Sequence, residues 1–224
     1  MSDDKAFPLT RESAFSYACG RCKRCCYGKR IALNPYEIVR LAEERGATTA
    51  QIIERCTEDG VALAVTDAPG RPCVFLGEDG CTVHSGRPLA CRLYPLGRLL
   101  APDGGERFAE VEPHPQTEGV YGKAGTVGEY VAAQEIERYV HEADAYFALF
   151  GRVSALLARL PEKPDAEGES GDGLDLWDVD AVVVRRCAEK GLPSPATPEG
   201  RTRLHREAIG EWLDSLEKQL PAPA

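Results

Sequence analysis

The hydrophobic residues of this chain follow two different periods, and the change between them divides it. Between residues 34 and 45, Ile38, Leu41 and Ala42 recur at helical spacing and form one apolar stripe. Asn34 suits an N-cap, Pro35 the first helical position and Glu37 a capping box, while Gly46 is a natural stop. A second short helix is predicted after Thr48 or Thr49, with Ile52, Ile53 and Cys56 facing inward. Val61 to Thr66 reads as a strand. A hairpin is predicted over 73–84, where Cys73–Leu76 and Cys81–His84 flank the turn Gly77-Glu-Asp-Gly80. Pro88 to Tyr94 predicts one helical turn, and 96–111 a second hairpin about Pro102-Asp-Gly-Gly105. Residues 112–125 hold Pro, Gly and Gln without periodicity and read as loop.

From Thr126 the rhythm lengthens. Thr126 and Glu129 form a capping-box pair, and two heptad series follow, offset by three. Ile136, Ala143, Phe150 and Leu157 make one; Tyr139, Tyr146, Val153 and Leu160 make the other. Such a stripe serves as core or as a homodimer seam. It predicts one long helix over 126–160, with Gly151 as a weak point. Residues 161–173 carry five acids, one Lys, two Pro and three Gly and read as an acidic linker. Within 174–224 two more helices are predicted. One spans about 176–190 and stops near Gly191; the other opens at Thr197-Pro198 and turns Leu204, Ile209, Leu213, Leu216 and Leu220 inward. The fold class is therefore α+β: a cysteine-rich domain with short hairpins over 1–118, then a helical half.

Composition sharpens this. The 224 residues suit one domain, or one with a small appendage, and 43% hydrophobic with 28% charged is ordinary for a globular chain. The net charge of -9 argues against a general nucleic-acid binder. The sequence contains no apolar run long enough to span a membrane, and Met1–Pro8 is acidic without an apolar core, so no export signal is visible. The expected compartment is then the reducing cytoplasm, where disulfides are rare. Nine cysteines beside one Met and four His call for another use, metal binding or redox chemistry.

Cys19, Cys22, Cys25 and Cys26 spell C-x2-C-x2-C-C. Two intervening residues let thiolates converge on one centre, the spacing of zinc and iron–sulfur sites. Side chains of neighbours in an extended segment point to opposite faces, so Cys25 and Cys26 are expected to serve a centre differently. Cys73, Cys81 and Cys91 follow, and with Cys26 they make a four-thiolate set. Cys19, Cys22 and Cys25 then form a three-thiolate set with an open position, although spacing fixes neither the pairing nor the number of metals. Thiolate centres are anionic, and Arg21, Lys23, Arg24, Arg87 and Arg92 are placed to offset that charge. Lys29 and Arg30 read as a solvated face. Cys56 and Cys187 sit at apolar helix positions without cysteine neighbours and read as core.

These residues resemble the bacterial YkgJ-type cysteine-cluster proteins, whose common region is described as zinc- or iron-chelating. The resemblance rests on Cys19-x2-Cys22-x2-Cys25-Cys26, Pro72-Cys73-Val-Phe-Leu76, Gly80-Cys81 and Arg87-Pro88-Leu-Ala-Cys91-Arg92-Leu-Tyr94-Pro95, within about 17–97. It implies metal chelation through Cys19, Cys22, Cys25, Cys26, Cys73, Cys81 and Cys91. Members are often labelled iron–sulfur oxidoreductases, and some longer relatives are flagellin lysine N-methylases. His84 departs from the Tyr usual after the Cys81 motif, and reads as a strand-end residue or an eighth ligand.

Three functions follow as expectations. The favoured one is an iron–sulfur protein with a redox or electron-transfer role and a protein partner, since seven thiolates do not divide into closed zinc tetrahedra. The second is a structural zinc module whose helical half binds a partner or a second copy. The third is a protein methylase, with Tyr94, beside Cys91 and Arg92, assisting at the open three-thiolate position or packing as core; no dinucleotide fingerprint or P-loop accompanies it.

Overall fold

The computed structural model describes residues 6–101, 104–159 and 176–219. The acidic linker 161–173 lies outside the described residues, as do Leu160, Leu220, Pro102 and Asp103. The element order is β1 (Ala14–Ala18), α1 (Pro35–Arg45), α2 (Thr49–Cys56), β2 (Thr57–Glu58), β3 (Ala62–Leu63), β4 (Leu76–Gly77), β5 (Gly80–Cys81) and α3 (Leu89–Leu93). It continues with β6 (Leu96–Leu100), β7 (Glu106–Glu110), β8 (Val120–Thr126), α4 (Val127–Ala132), α5 (Glu137–Leu157), α6 (Val179–Lys190) and α7 (Pro198–Gln219). Short antiparallel pairs and a helical C-terminal half make it α+β. No described helix is long and apolar enough to cross a membrane.

The chain forms two compact units, 1–33 with 55–141 and 34–54 with 142–224. Asn34–Glu54 thus groups with the C-terminal helices, not with the cysteine segments flanking it. In the first unit β6 and β7 form the expected hairpin, Leu96 facing Glu110 and Leu100 facing Glu106. Its core is Phe15, Leu93, Leu96, Phe108, Val127, Val131 and Ile136. In the second unit Val39, Val179, Val183, Cys187 and Leu204 make one apolar cluster, and Val153, Leu156, Ile209 and Leu213 another.

Local signals set several boundaries. The Asn34 side chain accepts from the Glu37 N–H, Glu37 closes the capping box, and Gly46 ends α1 in the left-handed region at φ 59°. Thr126 and Glu129 form the second capping box, and Gly191 ends α6.

Elsewhere long-range bonds override local pattern. The 112–125 segment is not all loop: β8 pairs antiparallel with β1, Tyr17 facing Tyr121 and Ala18 facing Val120. The strand of 61–66 shrinks to β3, paired with β2. The long helix of 126–160 is broken into α4 and α5. Glu135 stands between them at φ 52°, and the Gln134 carbonyl accepts from Arg92 Nη1 at 3.3 Å. On α5, Tyr139, Tyr146 and Val153 are buried as the second heptad series predicts, but Leu157 of the first is exposed and Leu156 buried in its place. A helix of 3.6 residues per turn drifts from a seven-residue repeat, and an unsupercoiled helix follows that drift.

Candidate metal centre

Cys19 follows directly from β1, and the loop beyond it is shaped by left-handed backbone at Arg21 (φ 56°), Lys23 (φ 64°) and Gly28 (φ 59°). Such residues turn amide groups toward the loop interior. The Arg21 N–H points at Cys19 Sγ at 3.4 Å, and the Glu118 N–H at Cys22 Sγ at 3.5 Å. The second contact requires two glycines. A Cβ on Gly20 would lie 2.5 Å from the Glu118 carbonyl oxygen, and one on Gly119 would lie 2.2 Å from the Tyr17 hydroxyl.

Cys25 and Cys26 occupy a single 3-10 turn, Arg24–Cys26, and not an extended segment. Their sulfurs are 4.0 Å apart. The expected opposite orientation is therefore corrected: successive side chains of a three-residue turn diverge by about 120°, not 180°. A bond length of about 2.3 Å to a tetrahedral ion implies a sulfur–sulfur edge of about 3.8 Å. The two thiols stand near that edge.

Backbone pairing carries the second cysteine segment to the first. Tyr27 bridges Pro72, the Cys73 N–H donates to the Cys26 carbonyl at 2.8 Å, and the Gly28 N–H to Arg71 at 3.1 Å. The hairpin predicted over 73–84 is much shorter, pairing only Leu76 with Cys81 and Gly77 with Gly80. Cys73 lies outside it and bridges Val65 instead. Cys91 stands on α3, inside the only helical turn of that region. None of the nine cysteines is in a disulfide.

Electrostatics links these thiols. A hydrogen bond from Cys26, working against burial and aided by Lys29 and Arg87, draws the Cys25 thiol down to about 7. The same bond, burial and the charges of Cys25, Cys73 and Cys81 push Cys26 well above its ordinary value. Burial raises Cys73, and Cys81, Cys56 and Cys25 add to it. Cys56 is thus half-buried beside the cluster and not the core residue its helical position predicts; Cys187 is buried as expected. Burial also acts to raise Cys22, but is outweighed by the N–H groups of Glu118 and Arg24 and the Thr117 hydroxyl, so its thiol lies below the usual value.

The cations divide by role. Arg87 feels burial first, then Arg92, with Cys91 and Cys81 acting in the opposite sense. It donates to the His84 carbonyl at 2.8 Å and lies 3.1 Å from His84 Nδ1. Burial, followed by Arg87, Arg92 and Arg21, holds His84 below its usual value, which favours the neutral ring. Arg92 has a different task from the one expected. Its guanidinium is buried, donates to the carbonyls of Arg87 at 3.1 Å, Gln134 at 3.3 Å and Ser85, and stands 4.2 Å over the Tyr139 ring. Lys23 reaches the Glu78 carbonyl, and Arg24 lies over Tyr27. Arg21 is exposed and acts on His84.

The Tyr94 hydroxyl is buried without a hydrogen-bond partner, and its carbonyl accepts from Tyr130 Oη at 2.5 Å. Two other tyrosines feel the sulfurs. Burial, then Cys19 and Tyr94, push Tyr17 up to about 12; burial, Tyr17 and Cys19 push Tyr130 higher. Sequence reasoning missed Tyr17, Thr117, Glu118 and Tyr130. Only Tyr17, two residues before Cys19 on a strand, left a local trace.

Among the described residues no three His, Cys, Asp or Glu side chains converge tightly enough to hold an ion as they stand. The donor chemistry nevertheless fits: crowded, partly buried thiols with N–H groups aimed at them suit a soft cation such as zinc or iron. Residues 18–114 match the family model described as "CxxCxxCC: Putative zinc- or iron-chelating domain". That span includes every clustered cysteine and leaves out Cys187. No curated protein and no solved structure matches the chain.

Proposed function

Because residues 18–114 match the model of the CxxCxxCC family of zinc- or iron-chelating domains, we propose that this chain carries an iron–sulfur centre and passes electrons to a protein partner. Cys19, Cys22, Cys25, Cys26, Cys73, Cys81 and Cys91 would hold the metal, which supplies a one-electron couple when bound. The observation that carries the reading is the backbone bond from Cys73 to the Cys26 carbonyl, which joins two cysteine segments distant in sequence. Iron is favoured over zinc by the three-cysteine run and by N–H groups directed at Cys19 and Cys22, contacts that tune cluster potentials. Cys19 and Cys25 are exposed, which suits exchange with a partner.

Arg87 and Lys29 offset thiolate charge, while Arg92 and Tyr94 hold the surrounding backbone. The experiment is anaerobic purification with iron, zinc and acid-labile sulfide analysis beside visible spectra. Iron and sulfide in proportion, with a visible absorption bleached by dithionite, are expected. A colourless protein with stoichiometric zinc would replace the proposal with a structural zinc module.

A further inference from the structure

We propose that helix α5 pairs two copies of this chain, antiparallel and related by a two-fold axis at Gly151. The inference is independent of the metal reading. A helix at a protein surface ordinarily carries charge on its outer side, and α7 does so, with Arg203, Glu207, Glu211, Asp214, Glu217 and Lys218 exposed. From Phe147 to Ala158 the outer side of α5 carries no charge. Phe147, Ala148, Gly151, Ser154, Ala155 and Ala158 are all exposed there, Phe147 to 70%. Between residues 145 and 158 the single charged residue is Arg152, and its guanidinium turns to α7, donating to Asp214 at 2.8 Å and Glu217 at 3.2 Å. Leu157, 58% exposed, borders the same face. This face is not the heptad stripe, whose Tyr146 and Val153 are buried within the chain. An uncharged helix face of this length with an exposed aromatic ring at one end marks a protein contact.

The face is complementary to itself when reversed. Phe147, Gly151 and Ala155 are spaced by four residues and lie in one row along the helix. In an antiparallel pair centred on Gly151, Phe147 of one copy, four residues before the centre, meets Ala155 of the second copy, four residues after it. Each large ring stands over a methyl group, and the small side chains between them let the two helices approach closely; a Cβ at Gly151 would itself meet nothing within 4 Å. Asp144, seven residues before the centre, meets Arg159 of the second copy, eight residues after it, and the two-fold axis makes each contact twice. A parallel pair would instead set Phe147 on Phe147 and Asp144 on Asp144. Opposed helix dipoles favour the antiparallel direction as well. A second copy requires ring to match methyl and acid to match base on one and the same face, and α5 meets that requirement.

The test is sedimentation velocity of the reduced full-length protein over a dilution series, the reductant keeping the nine cysteines from cross-linking chains. A two-chain mass that falls to one chain on dilution is expected. Phe147→Glu places a carboxylate in the seam at an exposed position, and should weaken the dimer at least about tenfold with unchanged helical circular dichroism. Asp144→Arg and Arg159→Glu should each weaken it about tenfold, because like charges then meet twice, and the double variant should recover to within about threefold of the unaltered protein. A single-chain mass for the unaltered protein at every concentration would overturn the proposal and leave the face to a different protein. A dimer indifferent to Phe147→Glu would overturn it by placing the interface elsewhere. Failure of the double reversal to restore pairing would overturn the antiparallel arrangement.

Discussion

Arg92 illustrates how a residue chosen for its charge can act through its geometry. A planar, rigid fork of five donors satisfies three carbonyls from two segments, 85–87 and Gln134, at once. Arg92→Met should therefore destabilise the first unit by about 3 kcal/mol, since hydrogen bonds from a charged group contribute ~1.5–3 kcal/mol each. Urea unfolding followed by tyrosine fluorescence measures it, and a loss below about 1 kcal/mol would contradict the clamp. Two glycines should respond with opposite signs. Gly20→Ala sets a Cβ against the Glu118 backbone and should cost about 1–3 kcal/mol by overpacking. Gly151→Ala, within α5 and meeting nothing within 4 Å, should raise stability by about 0.5–1 kcal/mol through lower backbone entropy in the unfolded chain. Thermal melts of the two variants read both.

At the scale of elements, helix ends were legible because a cap is a conversation among residues three or four apart. Asn34, Glu37 and Gly46 define α1 whatever surrounds it, and Asn34→Ala should cost about 1 kcal/mol in chemical denaturation. Pairing between helices was not legible in this way. Arg186 on α6 grips Glu211 on α7 at 2.8 and 2.7 Å, and Lys190 adds a second cation. The hydrogen bonds from Arg186 and then Lys190 draw the Glu211 carboxyl down to about 2 from an ordinary 4.5. A lowered carboxyl pKa stabilises the fold above the unfolded value and loses that contribution as pH falls through the folded one. The melting-temperature difference between the unaltered protein and Glu211→Gln should hold steady above about pH 5 and vanish near pH 2, as scanning calorimetry can follow. Glu211 is exposed, so the difference should also shrink in high salt.

For the whole molecule, separate apolar cores in the two units imply separate dependence on metal. Removing metal with a chelator under reducing conditions should speed amide exchange across residues 18–33 and 55–114 and leave α1, α6 and α7 protected. Uniform loss of protection along the chain, read by hydrogen–deuterium exchange with mass spectrometry, would contradict this. The sequence by itself determined the starts of α1, α4 and α7, the stops of α1 and α6, the apolar faces of α1 and α7, and the clustering of thiols in the 19–26 and 73–91 segments. Each of these depends on residues close in the chain, where spacing and side-chain type are sufficient. The tertiary structure alone decided that β8 would pair with β1, that Arg92 would take the Gln134 carbonyl and end α4, and that Glu118 would lie against Cys22. Those outcomes depend on hydrogen bonds between residues far apart in sequence, and a backbone N–H or carbonyl has the same identity at every position until folding supplies its partner.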